Sequence, residues 1–496
     1  MIMVNHFYTL PESADKEHKS ALPFFESLYS LTHGKKSIVF SNSRSDVERN
    51  MVNLKDIAEK RQESDVFMAR HGSVSASNRE YAESRMKFSD IPFVTGATVT
   101  LELGVDLGDL ERIIQTGCPH SVASLSQRLG RSGRRNSVSE MCFIFEEEKK
   151  AEATEFYKSI NWLFVKCIAL IELYRENWLE PIAIDRYPYG VLHHQTMSFL
   201  YSRGEATPEL LARSILSESV FSNVTQNDYK ALLRYMLEKE QIERVSPGGL
   251  LIGAKGEQLT NHYNFYSVFE TEVEFSVRDG FYQIGSLTRP MPPGATFALS
   301  GKTWSVIEVD KERKIIYVKS AKGKPPTVWN GSGGGFEYTK VLKKMREVIA
   351  GDNEYPYLHP SAASRLNEIR LTVRRTRFLE NEIFEISPDT FGIAMWLGTK
   401  ASNALDFALN KALPARRYIP RYWPFLIIKN VTRKQLQNAL EYIRLTPLSA
   451  EDLLIPDAVK IDGKYNDFVP PALLRKQYVH RFIDITELQE EMNNKL

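Results

Sequence analysis

The 496-residue sequence contains only three cysteines, Cys118, Cys142 and Cys167, and no two of them form a CxxC pair. This spacing argues against a zinc site and a disulfide framework, and it fits a reducing compartment. No run of about 18 apolar residues occurs, so no membrane span is expected. The first residues lack a basic segment followed by an apolar core, so we expect no signal peptide. We therefore predict a cytoplasmic protein without a metal site.

The sequence also lacks an excess of charge of one sign. Its 64 lysines and arginines nearly balance 62 aspartates and glutamates, which leaves a formal net charge of +2. A surface that binds an anionic polymer must therefore be local. Length and an apolar content of 43% indicate an ordinary globular chain with several domains.

The most informative stretch begins at Thr98 and reads TVTLELGVDLGDLERIIQTGCPHSVASLSQRLGRSGRR. Near its end, Arg131 and Arg134 are three residues apart, so on one helical turn they point the same way. Two guanidinium groups on one face suit a polyphosphate, and arginine stabilises the transferred phosphoryl group in many enzymes. The alternative is a solvated basic helix. Upstream, two short apolar runs with polar loops between them are typical of strands at one edge of a parallel α/β sheet.

The segments TVTLELGVD and QRLGRSGRR resemble motifs V and VI of superfamily-two (DEAD/DEAH) helicases. The amino-acid sequence of the whole stretch is most similar to the Lhr-type (large helicase-related) branch. The resemblance implies a RecA-like lobe in which Arg131 and Arg134 act on the γ-phosphate of ATP. It also implies that Gly104 and Asp106 face the nucleotide, with Asp106 near the ribose. Gln127 would help to set the arginines, and Thr98 would contact the nucleic-acid backbone.

Two upstream loops extend this resemblance. The segment SIVFSNSRSDVE predicts a strand over Ser37–Phe40, a polar turn with Ser41, and a helix that begins near Arg44. It resembles motif IV, whose loop touches nucleic acid, although the pattern alone also fits a plain strand–helix connection. The segment HGSVSASNRE is similar to one in Lhr-type proteins, which implies that His71 and Arg79 lie near the nucleic-acid track. Without the resemblance, His71 is simply a turn residue.

Two motifs of a complete helicase motor are absent from the sequence. No GxxxxGK(S/T) phosphate loop occurs, and no DExH or DEAD tetrad supplies a magnesium-binding acid. We therefore predict that the chain carries only the arginine-bearing lobe. ATP would be bound together with a polypeptide that carries the N-terminal helicase lobe, and that lobe would hold Mg²⁺. Alternatively, the lobe was lost in a truncated gene or fragment.

The pattern along the chain predicts a multidomain α/β protein. Local signals include Thr207 as a helix cap, a Thr225–Asp228 capping box and an Asp279–Gly280 hairpin turn. Trp329 lies in a lysine- and glycine-rich loop, where it either stacks on an unpaired base or folds back onto its own domain. The predicted domains are a RecA-like parallel-sheet lobe (1–150), a helical connector (151–185), a winged helix (186–265), a small β-barrel (266–345) and an α+β C-terminal domain (346–496).

Two functions from different classes remain open at this point. The first is a component of an Lhr-like, ATP-dependent 3′-to-5′ DNA helicase, which would bind single-stranded DNA or RNA and would be inactive alone. The second is a non-catalytic nucleic-acid-binding protein that keeps the helicase shape.

Overall fold

The protein is represented by a computed structural model. It describes residues 1–9, 22–88, 92–101, 110–132, 139–151, 154–245, 247–269, 274–288, 290–321, 335–413, 421–449, 453, 455 and 461–494. The chain divides into two compact units, one formed by 1–180 with 273–382 and the other by 181–272 with 383–496. The predicted segment 346–496 is therefore shared between the two units, while the other predicted boundaries stay predictions.

The first unit is built on a parallel sheet. Among the described residues, six strands pair in the order β1-β6-β5-β2-β4-β3, and every pairing is parallel. The sheet confirms the predicted parallel α/β lobe. Its elements are β1 Ile2–Thr9, α1 Leu22–Thr32, β2 Ser37–Phe40, α2 Arg44–Lys60, β3 Phe67–Arg70, α3 Ala76–Phe88, β4 Val94–Ala97, β5 Arg112–Thr116, α4 Val122–Leu129 and β6 Met141–Glu148.

Helix α2 shows how the sequence produces this packing. Ser43 caps the helix, because its hydroxyl accepts a hydrogen bond from the Asp46 N–H. Val47, Met51 and Leu54 recur at helical spacing and are fully buried. This stripe covers one face of the sheet, so the first turn of α2 is held at the end of β2.

The segment predicted as a helical connector contains two helices, which are separated at Ile160–Asn161. Helix α5 spans Phe156–Ser159 and α6 spans Trp162–Arg175. The Asn161 side chain accepts a hydrogen bond from the Phe164 N–H, so it caps α6 and marks a new helix start.

The second unit begins with helices around a small antiparallel sheet of order β7-β9-β8. Thr207 caps α8 with Pro208 in its first turn, and Thr225 and Asp228 form a capping box on α9, as the sequence predicts. The elements are α7 Tyr189–Arg203, β7 Glu205–Ala206, α8 Pro208–Ile215, α9 Gln226–Glu238, β8 Ile242–Val245, β9 Gly249–Ile252 and α10 Ala254–Thr260.

The chain then returns to the first unit as a mixed sheet, called here the second sheet, of order β11-β10-β14-β13-β12. Gly280 takes a positive φ of 57° in the predicted turn between β10 and β11. Two helices follow, and both belong to the first unit. The elements are β10 Phe275–Asp279, β11 Tyr282–Leu287, β12 Thr296–Leu299, β13 Lys302–Asp310, β14 Ile315–Ser320, α11 Thr339–Ala350 and α12 Pro360–Thr376.

The rest of the second unit is a sheet of order β15-β16-β18-β17 with helices packed on it. Its elements are β15 Ile383–Ser387, β16 Thr390–Ile393, α13 Thr399–Ala412, β17 Arg421–Tyr422, β18 Phe425–Lys429, α14 Arg433–Leu445, α15 Pro471–Phe482 and α16 Ile485–Asn493.

Candidate functional site

Three of the predicted nucleic-acid residues follow strands that end at the carboxyl edge of the parallel sheet. Phe40, Ala97 and Arg70 end neighbouring strands at the same level. The next residues along the chain are Ser41, Thr98 and His71. The loops of a parallel α/β sheet that bind ligands lie at this edge. The structure therefore brings three of the predicted nucleic-acid residues together.

Ser41 is buried, and its hydroxyl already has partners within the lobe. Its Oγ lies 2.8 Å from Thr116 Oγ1 and 3.1 Å from Asn50 Nδ2, and its N–H donates to the Ala97 carbonyl. Thr98 is 8% exposed and leads into a short 3₁₀ turn. These contacts fix the loops, and the predicted contacts of Ser41 and Thr98 with nucleic acid stay predictions.

The two arginines of this edge are more accessible. Arg44 is half-buried at the start of α2 and donates from Nη1 to Ser73 Oγ at 2.8 Å. Arg79 is half-buried in the first turn of α3, and within the described ranges its buried Nε has no hydrogen-bond partner. Arg44 and Arg79 are both partly exposed, and guanidinium groups in such positions are suited to an anionic ligand.

His71 lies at the same edge of the sheet, but its side chain is turned into the core. Its side chain is fully buried, and its Nε2 lies 2.8 Å from Oε1 of the equally buried Glu48. The predicted contact between His71 and nucleic acid stays a prediction, and this burial does not favour it.

The three-residue spacing of the arginines had led us to expect Arg131 on a helix, but it lies outside one. Helix α4 ends at Leu129, and Gly130 caps it. The half-buried Arg131 lies in the turn beyond, where its N–H donates to the Arg128 carbonyl. The helical expectation was wrong because glycine weakens a helix at this point. Gln127 is exposed on the last turn of α4.

Helix α4 is anchored at its N-terminus by the connector. Both carboxylate oxygens of Glu180 accept backbone hydrogen bonds, from Val122 N–H at 2.6 Å and Ala123 N–H at 2.9 Å. Ser121 adds a side-chain cap by accepting from the Ser124 N–H. A carboxylate at this position also interacts favourably with the helix dipole.

Arg128, to which the sequence analysis gave no role, anchors the other end of α4. Its side chain is fully buried, donates to Gln115 Oε1 and lies 4.9 Å from the centre of the Phe40 ring. Gln115 in turn donates to the Thr116 carbonyl. The signal for burial was present, because Arg128 continues the i, i+3 spacing of Val122 and Leu125.

Four predicted site residues fall outside the described ranges. They are Gly104, Asp106, Arg134 and Trp329. Over the portions that the structure describes, no three His, Cys, Asp or Glu side chains are grouped to hold a metal ion. In the same portions, no helix is long and apolar enough to cross a membrane.

Comparison with known proteins identifies the region. The helicase conserved C-terminal domain matches residues 21–136. The chain is 37% identical over 336 residues to the ATP-dependent helicase Lhr-Core of Methanocaldococcus jannaschii, covering 64% of this chain and 37% of that protein. It is 28% identical over 335 residues to the ATP-dependent helicase Lhr-Core of Saccharolobus solfataricus, covering 63% of this chain and 36% of the relative. The matches thus span little more than a third of these relatives.

A solved helicase structure has a similar fold. Mycobacterium smegmatis helicase Lhr, bound to ssDNA and AMP-PNP, matches 100% of this chain and 68% of its own with a TM-score of 0.64. The sequence identity is 16%, so this likeness concerns the fold alone. Taken with the sequence matches, it confirms the predicted resemblance: the chain is similar to the C-terminal region of superfamily-two helicases of the Lhr type.

Proposed function

We propose that this chain supplies the arginine-bearing motor lobe and the nucleic-acid-guiding accessory domains of an Lhr-like, ATP-dependent 3′-to-5′ DNA helicase. The sequence holds no phosphate loop, so the proposal requires a second lobe that binds ATP and Mg²⁺. That lobe is carried by a partner polypeptide or by another part of a longer chain.

The observation that carries the nucleotide half of the proposal is the anchoring of α4. Glu180 holds one end of the helix and Arg128 the other, and Ser132 pairs with Leu110 just before β5, so the turn that bears Arg131 has a fixed position near the amino end of the sheet. Preorganised cations are effective because they need no reorganisation when charge develops in the transition state. Arg131 and Arg134 would meet the γ-phosphate, while Gly104, Asp106 and Gln127 would line the nucleotide.

The nucleic-acid half of the proposal rests on the carboxyl edge of the parallel sheet. Arg44 and Arg79 would hold phosphates of a single strand, with Ser41 and Thr98 beside them. Such contacts position a strand without reading its bases. Stacking by Trp329 would add affinity that does not depend on sequence.

We extend the proposal to the accessory domains. Helix α9 followed by the β8–β9 hairpin supports a winged helix in 186–265. The second sheet supports a small β-barrel in 266–345, because a Cβ at Gly285 on edge strand β11 would lie 3.2 Å from Leu299 Cδ2 on edge strand β12. The fold of 346–496 remains an α+β proposal.

The alternative function is a non-catalytic nucleic-acid-binding protein derived from a helicase. The buried partners of Ser41 and His71 favour a rigid lobe under either function, so they do not decide between them. Neighbouring coding sequence that ends after a phosphate-loop lobe would favour the motor component.

The isolated chain is expected not to hydrolyse ATP. Phosphoryl transfer needs the phosphate-loop lysine and the magnesium-binding acid, and both motifs are absent from the sequence. The measurement is single-strand-stimulated phosphate release by rigorously purified protein, with Arg131→Ala as the control for contamination. Stimulated activity that disappears in this variant would overturn the two-lobe requirement.

The grip on a single strand is expected to depend steeply on salt. Arg44→Ala and Arg79→Ala should each lower the slope of log K against log salt by about 0.7, the value for one contact with a single strand. Arg61→Ala is the matched control, because Arg61 caps the opposite end of α2 and pairs with Glu26. Trp329→Ala should weaken binding without changing the slope. Equal slopes in the wild type and in both sheet-edge arginine variants would mean that neither arginine contacts a phosphate of the strand.

A further inference from the structure

Glu48 is a fully buried carboxylate for which the proposed function has no use. It lies in the first turns of α2, and its exposed side-chain fraction is 0%. Its Oε1 accepts from the Ser300 N–H and its Oε2 from the Gly301 N–H, both at 2.6 Å. These two residues form the turn between β12 and β13, so Glu48 ties the motor lobe to the second sheet.

The contacts of Glu48 continue through His71 to a predicted phosphate-binding residue. The Ser73 N–H donates to His71 Nδ1 at 3.3 Å, so in the neutral ring the proton is on Nε2, which donates to Glu48 at 2.8 Å. Ser73 Oγ accepts from Arg44 Nη1 at 2.8 Å. An unbroken series of hydrogen bonds therefore runs from the second sheet to Arg44.

The loop after β3 is also bound directly to the second sheet. The Ser75 N–H donates to the Ile284 carbonyl at 3.0 Å, and the Ser286 N–H donates to the Ser73 carbonyl at 2.7 Å. A Cβ at Gly285 would lie only 2.0 Å from the Ser73 carbonyl oxygen, so this approach needs glycine. Asn78 adds a hydrogen bond of 3.1 Å to Ser300 Oγ.

We infer that Glu48 and His71 are positioning residues through which the second sheet sets the geometry of Arg44 for a nucleic-acid phosphate. The inference rests on the proposed function, because it assumes that Arg44 contacts the strand. The second sheet would then contribute to phosphate binding through Arg44, without contacting the nucleic acid itself. The inference also gives His71 a role that is compatible with complete burial.

Physical chemistry explains why this series is sensitive to small changes. A glutamine at position 48 places an amide N–H₂ where an N–H donor points, so one of the three donors loses its acceptor. Leaving a buried polar group unsatisfied is costlier than removing both partners. We expect the loop after β3 to relieve this cost by shifting. Ser73 on that loop then no longer holds Arg44 in place.

The test compares salt dependence of single-strand binding in Arg44→Ala, Glu48→Gln, Ser73→Ala and the Arg44→Ala/Glu48→Gln double variant. Arg44→Ala should lower the log–log slope by about 0.7. We expect Glu48→Gln and Ser73→Ala to lower it by a similar amount, and the double variant to lower it no further than Arg44→Ala alone. Mere destabilisation by Glu48→Gln would reduce the active fraction but leave the slope and the effect of Arg44→Ala intact.

Glu140→Gln serves as the matched control. Glu140 pairs with Arg112 at 2.8 Å, next to the amino end of the same sheet, so its loss should leave the slope unchanged. A normal slope in Glu48→Gln and Ser73→Ala, beside a lowered slope in Arg44→Ala, would overturn the positioning role alone. An unchanged slope in Arg44→Ala would overturn the phosphate grip, and the positioning role with it. If Glu48→Gln does not fold, Ser73→Ala decides, because it leaves the buried pair intact.

Discussion

Replacing Arg131 by alanine is expected to lower ATP turnover by about a hundredfold or more in an assembly that also contains the phosphate-loop lobe. Arg134→Ala should have a similar effect. An arginine that meets the γ-phosphate stabilises charge mainly in the transition state, so its removal lowers kcat. Binding of single-stranded DNA without nucleotide should change little, since the arginines face the nucleotide in our proposal.

The control for this experiment is Arg61→Ala, which removes an arginine of the same lobe at the far end of α2. Its turnover should equal that of the wild type. If Arg131→Ala instead loses affinity for DNA and keeps its ATP turnover, the proposed roles of the two halves of the site are reversed.

The second large effect concerns stability. Glu147 on β6 accepts two hydrogen bonds from Arg365 on α12, at 2.6 Å and 2.9 Å, and lies 2.8 Å from His6 Nε2 on β1. Both members of the ion pair are less than a tenth exposed. Removal of one partner from a buried ion pair costs about 3–5 kcal/mol, because the other charge stays buried. We expect Arg365→Met to lower the free energy of unfolding of the first unit by this amount.

The matched control is Arg374→Ala on the same helix. Arg374 pairs with Asp352, but both side chains are exposed, so the expected cost is at most about 1 kcal/mol. The measurement is urea-induced unfolding, monitored through hydrogen exchange of the amides in β1 and α12. Equal costs for the two variants would mean that the Glu147–Arg365 pair does not hold α12 on the sheet.

The same pair makes the first unit sensitive to acid. Burial raises the pKa of Glu147, but hydrogen bonds from His6 and Arg365 outweigh it and hold the pKa below its ordinary value of 4.5. A carboxylate of this kind stabilises the fold above its ordinary pKa, and the contribution is lost as the pH falls through the lowered value. Arg365→Met should therefore lose less stability on acidification than the wild type.

Local sequence signals predicted several elements of the parallel-sheet lobe and of the second unit. The strand Ser37–Phe40 has the predicted bounds, and Thr207 and Thr225 cap their helices as expected. These features depend on a few consecutive residues. The first sheet strand, Ile2–Thr9, was missed because its partner Met141–Glu148 lies far along the chain.

The site shows the same division between local and distant information. Glu48 looks like an ordinary surface residue of α2, and only the turn at Ser300 and Gly301 reveals its burial. Arg131 lies outside the helix because Gly130, the residue before it, caps the end of α4. The three-residue spacing of the arginines had suggested a helix at this point. The loops of Ser41, His71 and Thr98 lie together at the carboxyl edge of the sheet, whereas the turn of Arg131 lies near its amino end. The hydrogen bonds that fix these segments come from distant parts of the chain.

The central claim is that this chain completes an ATPase whose phosphate-loop lobe lies elsewhere. The most direct measurement is single-strand-stimulated ATP hydrolysis by native material purified through a tag on this chain. We predict that a phosphate-loop lobe is recovered with it, that the strand stimulates hydrolysis, and that Arg131→Ala abolishes the stimulation. Material that binds single-stranded DNA but contains no phosphate-loop lobe and hydrolyses no ATP would contradict the account and favour the non-catalytic binding protein.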